Sequence, residues 1–205
     1  MGVTEWVLVA LVVAIVAVVL LWRRAVRLDV LHRTVLRSRT TLETQLTQRS
    51  AAARELAASG ALDPAEALLV TDVALRATDA ATAELVPDGL AGPPSDAALA
   101  GLAGTGGDEP SPDRGLLESE LSRTLRAVLG GSEDRESIAA DPRVTDILSQ
   151  LQQSWYRLQL ARRFHNSHVE QVRRLRDDPV VRLFRLAGRA PMPEPFDMDD
   201  ALPQD

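Results

Sequence analysis

The stretch WVLVALVVAIVAVVLLW, Trp6–Trp22, decides the fold of this chain. Its seventeen residues carry no charge, and apolar side chains surround the whole circumference of the helix that they would form. Such a helix measures about 25 Å, close to the thickness of a hydrocarbon core, and its terminal indoles suit the two interfacial layers. Residues 1–5 lack the basic charge of a cleaved signal peptide. The sequence therefore predicts an uncleaved transmembrane helix over residues 6–22, rather than a buried core helix with one apolar stripe.

The flanks of this segment predict its orientation. Only Glu5 precedes it, whereas Arg23, Arg24 and Arg27 begin a run of six arginines up to residue 39, against a single acid. The positive-inside rule then puts the N-terminus outside and the rest of the chain in the cytoplasm. All 23 basic residues are arginine, which suggests a GC-rich bacterial gene, so we expect the inner (cytoplasmic) membrane. These arginines either only stop translocation or also hold anionic lipid headgroups.

Composition limits what the remaining residues do. Of 205 residues, about 180 are left for one soluble helical domain. The net charge of −6 argues against a nucleic-acid partner, and the absence of cysteine excludes disulfides, thiolate nucleophiles and cysteine-based zinc sites. The chain carries no phosphate-binding loop, hydrolase elbow or metalloprotease motif. We therefore expect no catalytic activity and no cofactor.

The first cytoplasmic helix continues the apolar segment. Neither Pro nor Gly occurs between Gly2 and Gly60, which predicts one rod of about 80 Å that ends at Ser59-Gly60. A strict seven-residue step indicates the buried seam of this rod. The step consists of Leu28, Val35, Leu42, Arg49 and Leu56.

Proline and glycine delimit the other elements. Asp63-Pro64 starts a second helix that ends before Pro87, and a Gly- and Pro-rich flexible insertion follows over residues 87–113. A third helix ends at Gly130, a fourth spans Arg143–Arg176, and a short amphipathic piece covers Val180–Ala187. Residues 189–205 form an acidic, Pro-rich tail that we expect to be disordered. The prediction for residues 23–188 is an all-α, antiparallel long-helix (four-helix-type) bundle.

Two segments carry a family resemblance. LETQLTQR (Leu42–Arg49) and RLQLARRFHN (Arg157–Asn166), followed by Asp178-Pro179 and an LFRLAG…PFDM ending, resemble the bacterial LemA family. The resemblance implies a membrane protein with a long-helix bundle and no assigned catalytic activity. The family-like positions in these two segments are Gln45, Leu46, Arg49, Arg157, Leu158, Ala161, Arg162, Arg163 and Asn166.

A few side chains allow two interpretations each. His165 and His168 have a spacing that two zinc ligands use, but a third ligand at helical spacing is missing unless Glu120 or Asp72 comes from another helix. Two polar residues at a helix edge are the simpler interpretation. Trp155, Tyr156 and Phe164 form either bundle core or a groove for a partner, and we expect core. The arginines from Arg162 to Arg176 either face solvent or pair with the acidic tail.

These observations favour a membrane-anchored adaptor or scaffold that binds other proteins through its helices. The sequence also leaves a homo-oligomer open. The alternative is a structural protein that senses or shapes the membrane. In that interpretation the basic continuation of the apolar segment and Val180–Ala187 are two contacts with anionic lipids.

Overall fold

A computed structural model describes residues 2–82, 84–90, 113–130, 142–188 and 190–202, and every regular element within those ranges is a helix. The all-helical fold with one long apolar N-terminal helix is thus confirmed. Most of the predicted insertion, residues 91–112, lies outside the described residues. Numbered in chain order, the helices are α1 Val3–Ala58, α2 Pro64–Asp79, α3 Arg114–Leu129, α4 Pro142–Asp177 and α5 Pro179–Leu183.

Helix α1 runs for 56 residues without a break, as the absence of Pro and Gly predicted. At 1.5 Å per residue it is about 84 Å long. Ser59 is its C-terminal cap, and Gly60 follows with a φ of +79°, the left-handed conformation that favours glycine after a helix. Every side chain from residue 4 to residue 20 is exposed, and Leu28 is the first buried one. By length and composition, this helix is capable of crossing a membrane.

The seven-residue seam of α1 is its buried face. None of its five members is more than 3 % exposed. Three contacts give the direction of α4 along it: Arg24 binds Asp178, Ser38 binds His165, and Arg49 lies over Trp155. Because the α1 numbers rise as the α4 numbers fall, the two helices run in opposite directions. We call the part of the bundle near Arg24 and Asp178 the Leu28 end.

Helix α2 packs between α1 and α3, and aspartates cap the starts of both short helices. The Asp63 carboxylate accepts a hydrogen bond from Ala65 N, and Asp113 does the same for Gly115 N. The predicted second helix was too long, because the α-helix stops at Asp79 and one 3-10 turn, Ala80–Thr82, follows. The chain turns there so that Leu85 and Val86 enter the core.

The predicted flexible insertion also begins too early. The side chain of Asp88 is fully buried and forms an ion pair with Arg39 of α1, and Leu90 packs against the cluster around Leu28. Contacts with α1 therefore hold residues 87–90 in place, and no local sequence pattern predicts these contacts. The third-helix cap, Asp113, ends the insertion on its other side.

The acidic tail packs against the bundle. Residues 190–202 have neither helix nor strand, yet Phe196 and Met198 are buried in one cluster with Leu42, Leu46 and Leu158. The prediction of a disordered tail is wrong for this part, because composition alone does not register apolar side chains that fit a groove elsewhere in the chain. The tail fills the space between α3 and α4, as the hydrogen bonds below show.

Candidate functional site

Helix α4 holds the tail through four polar side chains. Asn166 exchanges two hydrogen bonds of 3.0 Å with the backbone of Phe196. Arg162 donates from Nε and Nη2 to the two carboxylate oxygens of Asp200, at 2.8 and 2.9 Å. Trp155 Nε1 and Gln159 Nε2 both donate to the carbonyl oxygen of the same aspartate, at 3.1 and 2.6 Å. A bidentate charged pair and satisfied backbone groups make this attachment specific.

Helix α3 grips the other side of the tail. Arg126 forms a two-pronged ion pair with Asp199 and holds the pKa of that carboxyl down to about 2, the hydrogen bond being the largest cause. The backbone N of Asp199 donates to Ser119 Oγ at 2.9 Å. Gly115 permits the approach, since a Cβ there would lie 2.3 Å from the carbonyl oxygen of Asp197. The tail thus bridges two helices.

For the arginines from Arg162 to Arg176, the sequence left solvent exposure or pairing with the acidic tail open, and among the described residues Arg162 alone of them forms an ion pair with the tail. Arg162 makes it with Asp200, whereas Arg176 binds the backbone carbonyls of Ala190 and Pro191 at the start of the tail. Arg174 pairs with Glu170 on its own helix. The tail is therefore held by selected residues and not by a diffuse basic field.

The family-like positions divide into four groups by their surroundings. Leu46 and Ala161 lie in the central cluster that receives Phe196, and Leu158 joins them there. Arg162 and Asn166 hold the tail through hydrogen bonds to Asp200 and Phe196. Gln45 is half-buried, and Arg157 and Arg163 are exposed.

Arg49, the remaining family-like residue, lies in a fully buried polar cluster. Its Nη2 donates to Glu118 Oε2 at 2.6 Å and its Nη1 donates to Ser122 Oγ at 2.7 Å. Its guanidinium carbon is 5.6 Å from the centroid of the Trp155 ring, a cation–π distance. Burial lowers the pKa of Arg49, and the Glu118 carboxylate opposes that effect. The cluster joins α1, α3 and α4 in one arrangement.

His165 is buried on α4 against Ser38. The Ser38 hydroxyl donates to Val35 O at 2.8 Å, so at 3.0 Å its oxygen accepts from His165 Nδ1. Nε2 of the ring has no hydrogen-bond partner among the described residues. Burial, followed by the nearby Arg39 cation, lowers the pKa of His165 to about 4. The ring is neutral at physiological pH.

The described residues contain no group of three His, Asp or Glu side chains arranged to hold a metal ion. His168 lies one turn from His165 on α4, without a third ligand beside them in the described part of the chain.

The outward face of α4 carries two of the three aromatics that we expected in the core. Trp155 is buried, but Tyr156 is 56 % exposed and Phe164 is 61 % exposed. Half-buried Leu160 lies between them at a four-residue step, so the three share one face, which we call the aromatic stripe. The expectation of core was wrong for Tyr156 and Phe164, because at about 100° per residue they point about 100° and about 180° away from Trp155.

The Leu28 end collects basic and apolar groups. Arg24 binds Asp178, which also caps α5 by accepting from Val180 N at 2.9 Å. Helix α5 is docked by buried Val181, and it presents Leu183 and Phe184 outward. Trp6, Trp22, Arg23 and Arg27, the other residues assigned from sequence to the membrane interface, are exposed on α1.

Three comparisons with known proteins give no relative. No family model, curated protein or solved structure matches the chain. The resemblance to the LemA family thus stays a prediction from the residues quoted above.

Sequence reasoning missed three residues of this architecture. Glu118, the acid that pairs with Arg49, lies 69 positions away in the chain, and nothing local distinguishes it from its neighbours. Gly115 offered one signal, since glycine in the first turn of a helix is costly unless another backbone comes close. Asp88 stood in a segment whose composition suggested a linker.

Proposed function

We propose that this chain is a single-pass inner-membrane adaptor whose α4 binds another protein through the aromatic stripe, without catalytic activity. The observation that carries the proposal is the exposure of Tyr156 and Phe164 on a helix whose opposite face is fully packed. Aromatic side chains are the residues most enriched at the energetic centres of protein interfaces. The fold does not need the exposure of these two aromatic side chains.

The surroundings of the stripe indicate the kind of partner. Arg157 and Arg163 flank it, and no acidic residue occurs on α4 between Asp146 and Glu170. An amphipathic helix with acidic residues beside its apolar face would complement both features. Two copies of this chain joined through their stripes would bring like charges together, so a homo-oligomer through this face is disfavoured. The net charge of −6 argues against a nucleic-acid partner.

The long first helix supports the anchoring part of the proposal. Residues 4–20 present only exposed, almost entirely apolar side chains, which are stable in a bilayer rather than in water. Helix α1 then continues into the core without a break, so the bundle would stand at a fixed height beneath the membrane. In this proposal the N-terminus is outside, and the helices form a LemA-like antiparallel four-helix-type bundle in the cytoplasm.

The test compares two pairs of exposed apolar residues. The variant Tyr156→Ser/Phe164→Ser removes the stripe, and Leu68→Ser/Leu75→Ser removes similar exposed area from α2. Both variants should fold like the parent protein, because the replaced side chains are solvent-exposed. Co-purification from crosslinked native membranes should lose partners only for the first pair. An unchanged set of partners for that pair would contradict the proposal.

A second candidate function, a structural protein that senses or shapes the membrane, is favoured by α5. Leu183 and Phe184 are exposed beside Arg182 and Arg185, a combination typical of interfacial segments. This function predicts that membranes rather than proteins are the main contact of the domain.

A further inference from the structure

A groove opens between α1 and α4 at the Leu28 end. It encloses about 270 Å³ and is lined by Arg27 and Leu31 from α1 and by Gln171, Arg174, Leu175 and Asp178 from α4 and its end. The two arginines and the glutamine supply hydrogen-bond donors, and the two leucines give an apolar floor. This composition suits a ligand with an anionic oxygen group and an apolar part.

The charge of the groove is positive on balance. Its one acid, Asp178, is already engaged, because it pairs with Arg24 and accepts a hydrogen bond from Val180 N. Arg174 pairs with Glu170, but both side chains are more than half exposed, so water screens that attraction. Arg27 makes no ion pair with a described residue.

The position of the groove identifies the apolar part of the ligand. Arg27 lies five residues after Trp22, about 8 Å along the helix, which is the depth of a headgroup layer when residues 6–22 span the core. Leu20 and Val16 precede Arg27 by seven and eleven residues and so lie on the same face of α1, where both are exposed. Acyl chains of a lipid held at Arg27 would run along these side chains.

Helix α5 borders the same end of the bundle from another side. Val181 is buried with Leu28 and Val35, whereas Leu183 is 76 % exposed and Phe184 is 54 % exposed. Exposed apolar residues next to exposed arginines are suited to the boundary between headgroups and acyl chains. Two elements of the bundle thus present membrane-compatible surfaces beside the groove.

We infer that the groove between Arg27 and Arg174 binds the headgroup of one anionic phospholipid of the inner leaflet. The guanidinium groups hold its phosphate, Gln171 donates to a headgroup oxygen, and the acyl chains lie along Leu20 and Val16. This inference rests on the proposed membrane anchoring of α1. It assigns a ligand to a site that the adaptor function does not use.

The experiment titrates the full chain in detergent with phosphatidylglycerol or phosphatidylcholine and measures bound lipid by native mass spectrometry. We expect one phosphatidylglycerol to bind in preference to phosphatidylcholine. Arg27→Gln and Arg174→Gln should each weaken that binding about fivefold, the value for one basic residue near an anionic surface. The matched control Arg54→Gln/Arg123→Gln removes two exposed arginines elsewhere in the bundle and should leave binding unchanged.

Three results would overturn the inference. Equal binding of both lipids would remove headgroup selectivity, and an equal loss in the control pair would show a diffuse basic surface. Displacement of the lipid by inorganic phosphate would show a site for a free anion. Carbonate extraction of the same membranes tests the anchoring separately: a protein that stays in the membrane but does not select phosphatidylglycerol refutes only the lipid site.

Discussion

Asn166 of α4 and Phe196 of the tail are joined by two hydrogen bonds of 3.0 Å. The amide nitrogen of Asn166 donates to Phe196 O, and Phe196 N donates to Asn166 Oδ1. One side chain thereby satisfies both backbone groups of a residue that belongs to no helix or strand, and the phenyl ring beside them is buried. This exchange is what allows an irregular segment to become part of the core.

Replacing Asn166 by Ala should release the tail. Both backbone groups of Phe196 would lose their partner, which we expect to lower the free energy of unfolding by about 2 kcal/mol. The amide hydrogen-exchange rates of residues 196–200 in the full chain should rise by the factor that corresponds to this loss of free energy. Exposed Arg163 provides the control, since Arg163→Gln should change stability by less than about 0.5 kcal/mol. Unchanged exchange in Asn166→Ala would show that the tail is held without this contact.

Gly115→Ala sets two effects of opposite sign against each other. In a helix without neighbours, alanine stabilises by about 1 kcal/mol relative to glycine. Here the new methyl would meet Asp197 O at 2.3 Å, so we expect a net loss of about 1–3 kcal/mol and faster exchange of the tail. Leu116→Ala, at an exposed neighbouring position, is the control. A stabilised Gly115→Ala protein would mean that the tail does not lie against α3.

His165 makes stability depend on pH. Its pKa is about 4 in the fold and 6.5 in the unfolded chain, so between these values the unfolded state binds more protons. Stability should therefore fall as pH decreases from 6.5 to 4, by up to about 3 kcal/mol for this group. Arg39 and His168 oppose protonation in the fold, and Asp88 favours it.

The measurement is chemical unfolding of the full chain in detergent at several pH values. His165→Asn should be less stable at neutral pH but should show a flatter decrease between pH 6.5 and 4. Identical slopes for the parent and His165→Asn would mean that the His165 ring is not shielded from water.

The Arg49–Glu118 pair predicts a non-additive pair of mutations. Glu118→Ala leaves a buried cation without its partner and should cost about 3–5 kcal/mol of unfolding free energy. The double variant Arg49→Met/Glu118→Leu removes both charges and should be more stable than the single variant. Glu120→Ala, two residues away in an exposed pair with Arg76, should cost less than about 1 kcal/mol. A double variant that is no more stable than Glu118→Ala would contradict the pairing.

The sequence predicts those features of the fold that depend on residues close together in the chain. The seam from Leu28 to Leu56 and the uninterrupted α1 follow from spacing and from the absence of Pro and Gly, both local features. The caps at Asp63 and Asp178 are local too. Even Arg49, a charged residue in an apolar seam, occupies the buried position that the seven-residue step predicts.

The remaining features depend on partners far away in the chain. Glu118, Asp88 and the tail acquire their roles only from surfaces that α1 and α4 provide. The aromatic residues of α4 mislead for a different reason, since hydrophobicity indicates burial only on average. Trp155 points toward the core, so the next residue, Tyr156, points away from it.

The most direct test of the adaptor function places a photoreactive benzoylphenylalanine at single positions of the full chain in native membranes. Position 164 samples the aromatic stripe, and position 68 samples exposed α2. The adaptor function predicts a discrete protein adduct from position 164 that is absent at position 68 and is lost with Tyr156→Ser. Position 164 without any protein adduct, while the chain remains in the membrane, would contradict it.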